Sequence, residues 1–275
     1  MKRLVFLDVD GTLLTHDQEL PDSARNALTR AVSLGHRLVL CTGRTRPEIY
    51  PFLWDLGMSG LVGCNGAYGE VDGRVLFNDQ IPNQDVAELS AWFEANRVDC
   101  LWQTGVELHP SRNFLDRFRT SGDAGRSIAG NWSAFLAQIE PALRTGVPQT
   151  AAKVTFFIPS DSPIRLSDVQ GRFGARFSII PGSLPQEQGE TGELTALGMN
   201  KSVGLTRIAE HFGVPVEETI AIGDSANDIE MLAVAGTGVA MGNGTAQAQA
   251  AADWITSSIE HDGLALAFEK LGLLD

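Results

Sequence analysis

The chain has 275 residues, 43% of them hydrophobic and 20% charged, a balance that supports a packed core and leaves little room for disorder. Its formal charge of -13 and pI near 4.8 argue against nucleic acid and anionic membranes as partners, because both repel an acidic protein at long range. No apolar stretch approaches the roughly 20 residues of a membrane helix. The opening MKRLVFLDVDGT is broken by Asp8 and Asp10 and reads as a strand rather than a signal peptide. The expectation is a cytoplasmic protein with no membrane contact. Its Cys41, Cys64 and Cys100 are odd in number and widely scattered, which suits reduced, mostly buried thiols.

In chain order, Arg3 to Leu7 is a short apolar strand, and Asp22 to Leu34 carries Ala24, Ala27, Leu28, Ala31 and Leu34 at helical spacing before Gly35. Arg37 to Cys41 is a second strand. Its near-continuous apolar run implies a parallel sheet covered on both faces. From Asn83 to Glu190 the texture changes: Trp92, Trp102 and Trp132 fall here, and most of the net negative charge lies outside it. The turn-rich stretch Pro181-Gly182-Ser183-Leu184-Pro185-Gln186 marks its far end. Strand and helix then alternate again, with a helix from Lys201 to Phe212 ended by Gly213, a strand from Thr219 to Ile222, and Gly223-Asp224 opening another helix. The fold class expected is α/β. A Rossmann-like parallel-sheet core comprises residues 1–82 and 191–275, and a smaller domain, residues 83–190, is inserted in it.

Four polar clusters accompany these elements, and in open α/β sheets ligands bind beyond the carboxyl ends of the strands. In Asp8-Val9-Asp10-Gly11-Thr12, two carboxylates suit a nucleophile and a general acid/base, and Gly11 lets the backbone turn; a solvated turn accounts for the pattern equally well. Thr42-Gly43-Arg44 offers a hydroxyl and an N–H to phosphate oxygens, although Thr-Gly at a strand end is usually only a turn. Arg44 is given no catalytic role. Lys201 opposes the dipole of the helix it opens, so it is either solvated or part of an anion site, and in isolation the surface reading is the stronger. In Gly223-Asp224-Ser225-Ala226-Asn227-Asp228, Asp224 can ligate a hard cation, and Asn227 and Asp228 share its side of the new helix. An ordinary helix cap explains one of these acids but not three convergent polar groups.

Taken together, DVDGTLL, CTGR, GMNKS and GDSANDIEML resemble the motifs of the haloacid dehalogenase superfamily, in its Cof-like sugar-phosphatase branch with a large α/β cap. The resemblance extends to Cys64-Asn65-Gly66-Ala67, Met241-Gly242-Asn243-Gly244, Ala252-Asp253 and Asp262-Gly263. Val9 stands where Leu or Phe is commoner, and Gly244 where Ala is usual. The resemblance implies a Mg²⁺-dependent phosphatase acting on a small phosphorylated metabolite, such as a sugar phosphate, through an aspartyl phosphate. Asp8 would be nucleophile and metal ligand; Asp10 would be general acid/base and lend the metal its backbone carbonyl. Thr42 and Lys201 would hold phosphoryl oxygens, with N–H groups from Val9 and Gly43. Asp224 would complete the metal ligands, Asn227 would reach the phosphoryl group and Asp228 would support the metal shell. Neutralising a carboxylate that attacks a phosphate dianion calls for such a cation and lysine.

Other phosphate chemistries fail on spacing. A Cys-x5-Arg loop starting at Cys41 meets Pro47 where it needs arginine, Gly198 and Lys201 miss the Walker pattern, and the five histidines show no metal-ligand spacing. A phosphomutase of related architecture and a non-enzymatic sugar-phosphate sensor remain as rivals. Substrate choice falls to the inserted domain, where Trp102, Arg112, Arg117 and Arg119 have suitable chemistry. Core packing for the tryptophan and a solvated face for the arginines are the plainer readings.

Overall fold

The structure, a computed structural model, describes residues 2–116, 129–182 and 189–275. In chain order its strands are β1 (Leu4–Leu7), β2 (Arg37–Cys41), β3 (Gly60–Gly63), β4 (Tyr68–Val71), β5 (Arg74–Asn78), β6 (Asp99–Gln103), β7 (Leu108–Pro110), β8 (Lys153–Pro159), β9 (Phe177–Pro181), β10 (Gly189–Ala196), β11 (Ile220–Gly223), β12 (Thr237–Ala240) and β13 (Trp254–Ile255). They form one sheet ordered β13-β12-β11-β1-β2-β3-β4-β5 and a second ordered β7-β6-β8-β10-β9. The chain divides into two compact units: Met1–Arg44, Ile49–Phe77 and Asn200–Asp275 in the first, Thr45–Glu48 and Asn78–Met199 in the second.

In the first unit, strands β13 to β3 of the sheet order all pair in parallel, and β4 runs antiparallel to β3. The chain steps outward from β1 to β2 and β3, then returns to β11 on the other side of β1. In open α/β sheets ligands bind where the strand order reverses in this way, here at the carboxyl ends of β1, β2 and β11. Every side chain of β1 is buried, and in β2 only Arg37 is exposed, as strands covered on both faces require. The helix Asp22–Ser33 buries Ala24, Ala27, Leu28 and Ala31. The helix Lys201–Phe212 begins at Asn200, whose side chain accepts hydrogen bonds from the N–H groups of Ser202 and Val203, and ends at left-handed Gly213. The Asn cap contributes about 1 kcal/mol. Leu205, Ile208 and Ala209 of this helix pack in one core with Phe6, Val39, Val62 and Ala221.

The second unit is an antiparallel sheet whose period of two separates its faces. Cys100, Trp102, Val154, Phe156 and Leu194 form an apolar core with Leu89 and Phe93 of the helix Asn83–Ala95 and Val169 and Phe173 of the helix Leu166–Phe173. Trp102 is therefore a core residue. Arg112 is exposed, and Arg117 and Arg119 lie outside the described residues. Gln103, Lys153, Thr155 and Glu193 lie on the opposite face and are also buried. They are paired, as buried polar groups must be: Lys153 Nζ donates to Glu193 at 2.9 Å and Thr155 to Gln103 at 2.9 Å.

The units divide at other residues than composition suggests. Ile81 already pairs through its backbone with Ala151, and β10 pairs with both β8 and β9, so the second unit reaches back to Asn78 and on to Met199. Composition reports side chains, not which strand a backbone joins. Residues 181 and 182 of the turn-rich stretch consequently fall within this unit, and residues 183–186 lie outside the described ones. Among the described residues no helix is long and apolar enough to cross a membrane. The three cysteines are buried and form no disulfide. His36, just past the helix Asp22–Ser33, is buried, and its Nδ1 accepts from the Arg3 N–H at 3.0 Å.

Candidate active site

The register of the core sheet places Leu7 beside both Leu40 and Ile222, so the residues that follow β1, β2 and β11 emerge at one sheet end. Asp8 leaves β1 there with its N–H on the Ile222 carbonyl at 2.9 Å. Lys201 reaches the same place from its helix. Its Nζ donates to Asp8 Oδ1 at 2.6 Å and to Asp228 Oδ1 at 2.5 Å, and the lysine is wholly buried. The surface reading of Lys201 is thereby replaced by a buried cation between two carboxylates.

Asp228 directs its other oxygen to the N–H groups of Asp224 at 3.0 Å and Ser225 at 2.9 Å, closing a capping box with Ser225. This corrects the expected local geometry. Asp224 lies before the short turn Ala226–Asp228 and the helix Ile229–Val234, not on a helix face. Capping, rather than helical spacing, brings Asp224 and Asp228 together.

Carboxylate oxygens of Asp8, Asp224 and Asp228 lie within 4.8 Å of one another. Burial and the Asp228 carboxylate push Asp8 up from the ordinary carboxylate range, against the pull of Lys201. Burial and Asp228 also push Asp224 up to about 6. For Lys201, burial works against the charge, but Asp228 and Asp8 outweigh it and hold the ammonium protonated. This donor set fits a small hard cation: it is all oxygen and carries more negative charge than one lysine offsets. Gly11, at φ +88°, leaves room for the Asp224 carboxylate, since a Cβ there would meet Asp224 Oδ2 at 2.4 Å. Asp228 has both oxygens engaged, which suits support of Lys201 and the loop better than direct ligation.

Asp10 faces elsewhere. Its carboxylate takes a bidentate pair from Arg44, Nε to Oδ2 at 2.8 Å and Nη2 to Oδ1 at 2.6 Å, and a further hydrogen bond from Gln18 at 3.3 Å. Burial alone would raise its pKa, but the guanidinium beside it holds it below the ordinary carboxylate range. Thr42 follows β2, with its N–H on the Val62 carbonyl at 2.8 Å and its hydroxyl accepting from the Arg44 N–H at 3.2 Å. Gly43 lies between them, and Val9 is fully buried. Asn227 donates to Asn65 at 3.2 Å.

Four further residues act here that spacing does not single out. Thr12 donates to Asp224 at 3.2 Å, and Asn243 donates to the Gly11 carbonyl at 2.8 Å. Gln18 and Tyr50 surround Arg44. The motif stretches that contain Thr12 and Asn243 are visible in the sequence; nothing in it marks Gln18 or Tyr50.

A family model described as haloacid dehalogenase-like hydrolase matches residues 5–268. Phosphatase YwpJ of Bacillus subtilis is 28% identical, over 98% of this chain and 99% of the relative. The 5-amino-6-(5-phospho-D-ribitylamino)uracil phosphatase YitU of the same organism is 27% identical, over 95% and 94%. The solved structure of the HAD subclass IIB sugar phosphatase BT4131 matches with a TM-score of 0.78 at 25% identity, covering 99% of this chain and 100% of that one. The motif resemblance, the mixed sheet and the full-length matches agree, and the chain belongs to the haloacid dehalogenase-like hydrolases, as a phosphatase among them.

Proposed function

We propose that the chain hydrolyses a small phosphate monoester through a phosphorylated Asp8, with Mg²⁺ as cofactor. The observation that carries this reading is the buried Lys201 joined to Asp8 and Asp228, with Asp224 beside them at the carboxyl ends of three parallel strands. Mg²⁺ held by Asp8, Asp224 and the Asp10 carbonyl would neutralise phosphoryl charge during in-line transfer. An Asp8 oxygen attacks phosphorus while the bond to the leaving oxygen breaks, and Asp10, having taken up a proton against the pull of Arg44, delivers it to that oxygen. Asp10 then takes a proton from water as the water oxygen attacks phosphorus, which frees Asp8 and releases inorganic phosphate. Lys201 offsets charge on Asp8 and the phosphoryl oxygens, Asp228 holds Lys201, and Thr42, Asn227 and the N–H groups of Val9 and Gly43 orient the phosphoryl group.

Of the proteins named above, one is a sugar phosphatase and one a 5-amino-6-(5-phospho-D-ribitylamino)uracil phosphatase. A small phosphorylated metabolite of that kind is the substrate class we assign. Buried cysteines outside any disulfide suit a cytoplasmic setting. The test is release of free phosphate from sugar phosphates, nucleotides, flavin and pyridoxal phosphates, with Mg²⁺ or with EDTA, followed by borohydride trapping and mass spectrometry. Expected are Mg²⁺-dependent release and a label on Asp8 alone. Full turnover in EDTA, a label elsewhere, or an isomerised sugar phosphate in place of free phosphate overturns the reading.

A further inference from the structure

We infer that Arg44 is a positioning residue for Asp10, presenting its carboxylate to the leaving oxygen through a two-point grip that a lysine cannot reproduce. The inference rests on the acid/base reading of Asp10 and concerns how that carboxylate is aimed. Nε and Nη2 of Arg44 each hold a different oxygen of Asp10, at 2.8 and 2.6 Å. Two parallel bonds from a planar fork fix the plane of a carboxylate as well as its place.

The arginine is itself held. Nη2 donates to Gln18 Oε1, the guanidinium lies over the Tyr50 ring 5.2 Å from its centroid, and the Tyr50 hydroxyl donates to the same Gln18 oxygen at 3.3 Å. Gln18 completes the ring by donating to Asp10 Oδ1 at 3.3 Å. The Arg44 backbone is pinned as well, its N–H on Thr42 Oγ1 at 3.2 Å and its carbonyl accepting from the Cys64 N–H at 3.0 Å. The Arg44 side chain is 11% exposed, whereas that of Asp10 is 42% exposed, so the grip is screened while the carboxylate stays open on one side. Proton transfer depends on this kind of alignment, since a general acid must meet the leaving oxygen within hydrogen-bond reach. Lys201 lies on Asp8 and Asp228, so the two cations serve different carboxylates.

The experiment compares single-turnover release of an alkyl alcohol and of para-nitrophenol from their phosphates, with Mg²⁺, in the full chain and in Asp10→Asn, Arg44→Ala, Arg44→Lys and the Asp10→Asn/Arg44→Ala double variant. Taking the ratio of the two esters within each preparation removes any difference in folded fraction. Asp10→Asn should slow the alkyl ester about 10²- to 10⁴-fold and the aryl ester far less, because nitrophenol leaves without a proton. Arg44→Ala should show the same discrimination, at about 10²-fold on the alkyl ester, and under multiple turnover a nitrophenol burst as the phosphoenzyme accumulates. Arg44→Lys should restore little of it, and the double variant should be scarcely worse than Asp10→Asn alone. Equal slowing of both esters in Arg44→Ala, full rescue by lysine, or losses that multiply in the double variant overturn the inference while leaving the role of Asp10 intact. Absence of ester discrimination in Asp10→Asn itself removes the acid/base reading, and the inference falls with it.

Discussion

Lys201 Nζ stands 2.6 Å from Asp8 Oδ1, with the lysine side chain wholly buried and that of Asp8 only 5% exposed. The nucleophile and its counter-charge are thus paired from residues far apart in the chain. A buried pair of this kind is weak evidence of net stability, but breaking it strands an uncompensated charge.

Lys201→Met should therefore abolish turnover and lower stability by about 3–5 kcal/mol. Urea unfolding reads the second effect. Adding Asp228→Asn should recover part of the lost stability, because it removes one stranded carboxylate, so the two changes should fall short of additive. Additive losses would show that Lys201 and Asp228 are not coupled.

Gly11→Ala should raise the Mg²⁺ concentration needed for half-maximal activity. The new Cβ would sit 2.4 Å from Asp224 Oδ2 at a left-handed φ of +88°, so either the carboxylate or the turn must move. The conformation adds roughly 1–2 kcal/mol of strain. An Mg²⁺ titration of activity checks this, and an unchanged half-saturation point contradicts it.

In EDTA, stability should fall as the pH rises from about 4 to about 6. Asp224, pushed up to about 6 by burial and by Asp228, binds a proton in the folded state that the unfolded chain has already lost, and raised Asp8 acts in the same direction. Asp10 has the opposite sign: lowered by Arg44 against its burial, it contributes stability that is present above the unfolded value and lost as the pH falls through its folded value. Saturating Mg²⁺ should flatten the decline, because a bound cation replaces the protons. Urea midpoints across this window, with and without Mg²⁺, provide the measurement.

A maleimide should label none of the three thiols in the native protein and all three in denaturant. Cys41, Cys64 and Cys100 are buried, burial pushes the Cys41 thiol up, and it pushes Cys100 up to about 12. Thiolate is the reactive form, so both protonation and lack of access protect Cys41 and Cys100, and lack of access protects Cys64. Rapid native labelling would indicate that one of them is exposed by local opening.

The sequence by itself determined the alternation of buried strands and amphipathic helices, because both follow from local periodicity, and it marked Asp8, Thr42, Lys201 and Asp224 as residues that end strands or open a helix. It also carried the family, through short motifs in a set order. Tertiary structure decided what those residues touch. Lys201 reads as a surface cation in its own helix and becomes buried only because that helix packs against β3 and the turn Cys64–Gly66, which brings Nζ to Asp8 and Asp228. Arg44 reads as a turn residue, and its grip on Asp10 exists only because β1 and β2 run side by side in register. The course of β10 was likewise illegible, because the partner of a strand is chosen by backbone groups that every residue shares. Local patterns specify which face a residue presents; the charges and backbone groups it meets come from chain segments that only folding brings into reach.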